Sequence, residues 1–180
     1  MNYKALKDNL IYVLLESQIK IGYTDNACSV NYPLYSLNNL LEEELDDDAM
    51  MIVLHDFARY AEDPLGRIAL SRYDGQFCLT VPKDGVRYVH ENVSDSGFLT
   101  ELVALLREQR TIGLDDVLSV FRRYGDDVVC ERAEDEEYNY VICFGDNVPD
   151  SFVYLFELEL GHASYHRMTK KDFATMNNEK

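Results

Sequence analysis

Apolar side chains recur at helical spacing near the start of the chain. Leu6, Leu10, Val13, Leu14 and Ile21 approximate the i, i+4, i+7, i+8 stripe of an amphipathic helix over residues 4–21. Gly22 stands where such a helix ends, because glycine accepts the left-handed backbone of a C-cap at no steric cost. A short extended piece, Ser29–Tyr32, precedes a second helix start at Pro33 and Ser36. Leu37, Leu40, Leu41 and Leu45 form its apolar stripe. Glu42, Glu43, Glu44, Asp46, Asp47 and Asp48 then follow. Carboxylates favour the first turn of a helix and oppose the last. Asp46–Asp48 therefore suit a helix running to about Glu62, whereas Glu42–Glu44 sit badly at the end of a preceding one. Two helices, or one bent helix across 36–62, both satisfy this pattern. Met50–Leu54 is continuously apolar, which predicts burial on more than one side.

Past the turn Asp63-Pro64-Leu65-Gly66 the period changes to two. Ile68 and Leu70, then Phe77, Leu79 and Val81, then Val86 and Tyr88 alternate with their neighbours. Asp74-Gly75 and Asp84-Gly85 separate the runs, and Asp-Gly favours the positive φ angles of hairpin turns. The prediction is a three-stranded antiparallel meander over about 67–90. Helical spacing returns with Phe98, Leu102, Leu105 and Leu106 over 97–109, and again with Leu114, Val117, Leu118 and Phe121 over 114–124, closed by Gly125. A hairpin of 127–133 with 138–144 follows, around an acidic turn. Val153–Leu160 then pairs with 162–168 through Gly161, and Thr169 caps a short helix to about Met176. The fold class is α+β, as one domain over 1–180: N-terminal helices, an antiparallel β-meander, two central helices, C-terminal antiparallel hairpins and a short terminal helix.

Composition narrows the class. With 47% apolar and 28% charged residues the 180-residue chain is globular rather than disordered. Its apolar stretch Leu10–Leu15 is bracketed by Asp8 and Glu16, unlike a secretory leader, and no run is long enough to span a membrane. The expectation is a cytoplasmic protein. The sequon Asn92-Val93-Ser94 is then idle, and Cys28, Cys78, Cys130 and Cys143 are free thiols packed as small core side chains.

Charge changes the picture more. The net charge is −16, and residues 24–58 carry eight acids with no Lys or Arg. Residues 124–166 carry eleven acids against Arg132 alone. Spread evenly, such charges would lie on the order of 20 Å apart, beyond the ~8 Å Debye length. Clustered, they repel nucleic acid and acidic membranes and steer a basic protein partner. Solubility alone also accounts for such solvated faces.

Sequence signatures of specific chemistry are weak. Neither phosphate-binding glycine motif is present, nor a G-x-S-x-G elbow, and no cofactor is called for. His55-Asp56 matches the pair of metal-dependent phosphohydrolases, but adjacent helical residues diverge by about 100°, so further ligands would have to come from elsewhere. His162 and His166 would chelate at helical spacing; on a strand they lie roughly 13 Å apart, and the local pattern is strand. The acidic runs lack the alternating spacing of a calcium loop. No metal site is assigned. Residues 97–144, with a strand at 86–90 before them, outline a winged helix. Asp115, Asp116 and Glu134–Glu137 stand where a DNA reader needs Lys or Arg, so nucleic acid is not an expected partner.

Ile19-Lys20-Ile21-Gly22-Tyr23, Tyr32-Pro33-Leu34-Tyr35-Ser36-Leu37 and the run Gly161-His162-Ala163-Ser164-Tyr165-His166-Arg167-Met168-Thr169-Lys170-Lys171-Asp172-Phe173 resemble a domain-of-unknown-function family of Clostridia (Firmicutes). The likeness covers nearly the whole chain. It implies a bacterial cytoplasmic protein and brings no catalytic residues with it.

Two functional expectations result. One is a protein-binding module of regulatory or immunity type, whose patch Glu134, Asp135, Glu136, Glu137, Tyr138 and Tyr140 meets a basic partner; tyrosine suits the centre of an interface. The other is a small-molecule enzyme using a strand face of His162, Ser164, His166, Tyr165 and Arg167.

Overall fold

The computed structural model describes residues 1–108, 111–133 and 135–178. They form two compact units, Met1–Ser94 and Asp95–Lys180.

The first unit opens with α1 (Tyr3–Ile21), which Asn2 caps by accepting a 3.1 Å hydrogen bond from the Ala5 N–H. Leu6, Leu10 and Leu14 are fully buried along one face, and Gly22, at φ 88°, ends the helix. After β1 (Cys28–Pro33), the acidic stretch resolves into two helices, α2 (Leu34–Leu41) and α3 (Asp47–Tyr60). Glu42 takes a left-handed φ of 59° and stops α2, and Asp46 caps α3 by accepting from the Ala49 N–H at 2.9 Å. Asn38 clamps the link with two 3.0 Å bonds to the Leu45 backbone. Asp47 and Asp48 thus lie at the positive pole of α3, where the helix dipole favours them.

A broken helical turn, α4 (Glu62–Leu65), leads into β2 (Ala69–Tyr73) and β3 (Gln76–Val81), joined by the expected Asp74-Gly75 hairpin with φ of 50° and 72°. The expected third strand of the meander is a helix, α5 (Lys83–Asn92). Val86 and Val89 are buried at i, i+3 spacing, Pro82 supplies an extended N-cap, and Asp84 joins the first turn. Gly85 is not a hairpin glycine: a Cβ there would collide with the Leu65 carbonyl and approach Val81 Cγ1 to 2.7 Å. The third strand comes instead from β1, and the antiparallel order is β1-β3-β2. Val30, Tyr32, Phe77, Leu79 and Val81 bury one face against the helices.

The second unit comprises α6 (Phe98–Leu106), α7 (Leu114–Tyr124), β4 (Val128–Arg132), β5 (Tyr140–Phe144), β6 (Phe152–Glu159), β7 (His162–Thr169) and α8 (Lys170–Asn178). Its sheet is an antiparallel meander in chain order, β4-β5-β6-β7. On one face Phe98, Phe121, Phe144, Tyr154 and Phe156 form a ring cluster, with Phe121 centroids 4.8–6.1 Å from the other four. On the other, Tyr138, Val153 and Leu155 pack with Met168 and with Phe173 and Met176 of α8. With both faces covered, Phe152–Phe156 are all buried, so this strand shows no alternation. Thr169 caps α8 through a 3.0 Å bond from the Asp172 N–H. The helix–helix–hairpin order of the winged-helix outline is present, but its preceding strand at 86–90 is α5 of the first unit. All four cysteines are free and half-buried; on β4 and β5, Cys130 faces Ile142 and Cys143 faces Val129.

Candidate functional site

Strand parity divides the five residues expected to share a face of β7. His162, Ser164 and His166 lie across from Glu159, Glu157 and Leu155, on the face that carries Met168 and the α8 cluster. Tyr165 and Arg167 lie on the opposite face. The Tyr165 ring sits 5.5 Å from Tyr154 and 5.7 Å from Phe156, and the Arg167 guanidinium lies 4.2 Å over the Phe152 ring. Glu157 gathers part of this row: Ser164 Oγ and His162 Nε2 each lie 3.4 Å from its Oε2. His166 is exposed, and Leu155, not a polar group, stands opposite it. Among the described residues, no three His, Cys, Asp or Glu side chains are grouped to hold a metal.

The acidic turn joins β4 to β5. Glu134 lies outside the described residues. Asp135 Oδ1 accepts a 3.0 Å bond from the Glu137 N–H, and Glu136 and Glu137 are exposed. Tyr138 is only 9% exposed and packs with Val153 and Leu155, while Tyr140, half-buried, opens β5. Asn139, which sequence reasoning passed over, ties the turn down. Its side chain exchanges bonds of 2.9 and 3.0 Å with the Leu158 backbone, and its N–H donates to the Phe156 carbonyl at 2.8 Å. The acids are thereby presented on an anchored turn.

A second feature missed by sequence is the contact of Asp150 with Tyr154. Burial pushes the Asp150 carboxyl above the ordinary aspartate range, and Asp95 adds to this; the bonds from Tyr154 and the Phe152 N–H, with the nearby Arg167 charge, act the other way. Burial first, then the Asp150 charge, pushes the Tyr154 hydroxyl well above its usual value. The available signal was Tyr154 itself, since a hydroxyl inside an apolar strand needs a partner.

In the first unit the His55-Asp56 pair does not converge. Asp56 binds Arg59 at 3.0 Å, and His55 lines a groove of about 630 Å³ with Ala58, Arg59, Glu62 and Arg67–Leu70. Elsewhere, Tyr23 stacks on His90 at 4.1 Å and donates to Asp25 at 3.0 Å. The Arg87 guanidinium, 2.7 Å from the same carboxylate, holds Asp25 below its usual range, with help from the Tyr23 bond.

The molecule is therefore an α+β protein built from helices and antiparallel sheets of three and four strands. Among the described residues, no helix is long and apolar enough to cross a membrane. The chain belongs to the family described as "Domain of unknown function, E. rectale Gene description (DUF3877)", whose model matches residues 3–177. No curated protein and no solved structure matches it.

Proposed function

We propose that this chain is a cytoplasmic protein-binding module, of regulatory or immunity type, that takes a basic protein partner on the acidic turn between β4 and β5. The observation that supports this reading is the anchoring of that turn. Asn139 and buried Tyr138 hold it against β6, while Glu136 and Glu137 remain exposed. A turn whose backbone is already held loses little freedom on binding, so less of the acids' attraction for a cation is offset by ordering. A net charge of −16 disfavours nucleic acid and anionic membrane as partners.

The test is a pull-down from bacterial lysate at about 50 and about 300 mM salt, chosen to move the Debye length from well above to below the spacing of neighbouring charges. Wild type should retain a basic protein at low salt and lose it at high salt, and Glu136→Gln with Glu137→Gln should weaken the capture. Equal capture by the neutralised chain at both salts removes this surface from consideration.

A further inference from the structure

The open edge of β2 has the opposite chemistry. A two-residue turn with positive φ at Asp74 and Gly75 makes Tyr73 and Gln76 the hydrogen-bonded pair that closes the hairpin. Pairing then alternates along the ladder. Ala69, Ser71 and Tyr73 turn their N–H and C=O groups toward β3, and Leu70 and Arg72 turn theirs outward. β2 is the last strand of its sheet, and no backbone partner meets these outward groups among the described residues. Beside this edge runs the groove shared with α3. Its floor is apolar through Ala58, Ile68 and Leu70, and its charged lining is Arg59, Arg67 and Glu62, with His55. Asp56 holds Arg59 at 3.0 Å, which among the described residues leaves the Arg67 cation as the groove's unpaired positive charge in a chain of net charge −16. Arg67 is exposed, and its guanidinium makes no hydrogen bond or ion pair among the described residues.

We propose that this groove docks an extended, carboxylate-bearing segment of a partner protein, which adds as a strand to the open edge of β2 and sets its acidic side chain on Arg67. Main-chain bonds to Leu70 and Arg72 supply affinity that does not depend on sequence, and Arg67 selects for an acid. Most exposed strand edges are blunted by a bulge, a proline or an inward charge. Between Ala69 and Tyr73 there is no proline, and the one charge, Arg72, shares the face of Leu70 and Phe77 and is paired with Asp47 and Asp48 at 3.3–3.4 Å. The surface lies in the other unit from the acidic turn and attracts the opposite charge, so either can fail without the other.

The experiment is selection of a random heptapeptide phage library on the full-length protein, followed by measurement on the winning peptides as synthetic probes. The expected winners carry Asp or Glu among β-branched residues. Arg67→Glu should weaken them about tenfold, a loss of about 1.4 kcal/mol, and Glu62→Gln should tighten them. N-methylation of alternate peptide amides should abolish binding. Amide hydrogen exchange at Leu70 and Arg72 should slow on binding, with Ala69 and Ser71, already bonded to β3, unchanged. Four outcomes overturn the proposal: no enrichment; winners indifferent to both charge changes; protection elsewhere than Leu70 and Arg72; or protection there that grows with protein concentration alone, which makes the occupant a second copy of the chain. Both variants change exposed side chains, and their circular dichroism should match wild type.

Discussion

The hydroxyl of Tyr154 donates a 2.6 Å hydrogen bond to Oδ2 of Asp150, four residues earlier in the chain. Asp150 Oδ1 accepts from the Phe152 N–H at 3.0 Å, so one carboxylate ties the loop before β6 to a fully buried ring. Tyr154→Phe keeps the ring but removes the hydroxyl that donates to Oδ2 of this largely buried carboxylate, and should cost about 1–3 kcal/mol in urea unfolding.

The same carboxyl predicts a pH dependence. Its folded pKa is raised above 3.8, so its contribution to stability is complete below that value and is lost as pH rises through the folded pKa. The unfolding free energy of wild type minus that of Asp150→Asn should therefore fall as pH increases from about 4 toward neutrality. Parallel curves over that range would show that Asp150 does not titrate differently in the folded state.

The break between α2 and α3 predicts opposite effects at its two ends. Asp46→Ala removes the cap of α3 and should cost about 1 kcal/mol. Glu42→Gly places a permissive residue at φ 59° and should raise the melting temperature, since the left-handed backbone costs other residues about 1–2 kcal/mol. Thermal unfolding of the two variants checks both signs.

Two core positions set the scale for severe losses. Phe121 touches the rings of Phe98, Phe144, Tyr154 and Phe156, and Phe121→Ala should destabilise the second unit by about 3–5 kcal/mol. Gly85→Ala adds one carbon where the Leu65 carbonyl and Val81 already stand, so it should shift α5 and cost more than about 2 kcal/mol. Denaturant midpoints measure each, and a near-neutral Gly85→Ala would mean that α5 moves aside freely.

One domain over 1–180 is, physically, an expectation about cooperativity. Calorimetry should give a single transition whose calorimetric and van't Hoff enthalpies agree. Two resolved transitions, one sensitive to Gly85→Ala and the other to Phe121→Ala, would divide the chain between Ser94 and Asp95.

Elements with long stripes were readable from the sequence: α1 from Leu6, Leu10 and Leu14, α7 from Val117, Leu118 and Phe121, and the β2–β3 hairpin from Asp74-Gly75. α5 was not, because Val86-Arg87-Tyr88-Val89 fits alternation as well as i, i+3 spacing, and four residues cannot separate the two periods. The close approach of Gly85 to Leu65 is a tertiary contact that no local pattern encodes. The pairing of β1 with β3 is likewise long-range, matching Cys28 with Val81. At the candidate sites, the period of two in β7 already separates Tyr165 and Arg167 from His162, Ser164 and His166, so the five cannot share one strand face. Asn139 and Asp150 gave no advance sign, since polar loop residues are common and only their placement distinguishes these two.

The four cysteines fall two to each unit, Cys28 and Cys78 in the first, Cys130 and Cys143 in the second, all reduced and half-buried. Burial also raises the thiols of Cys28, Cys130 and Cys143 above their ordinary range, which disfavours the reactive thiolate. The chain thus carries its own reporters. A thiol reagent added to the native protein would report, cysteine by cysteine, how far each unit shields its own pair, with no label to engineer.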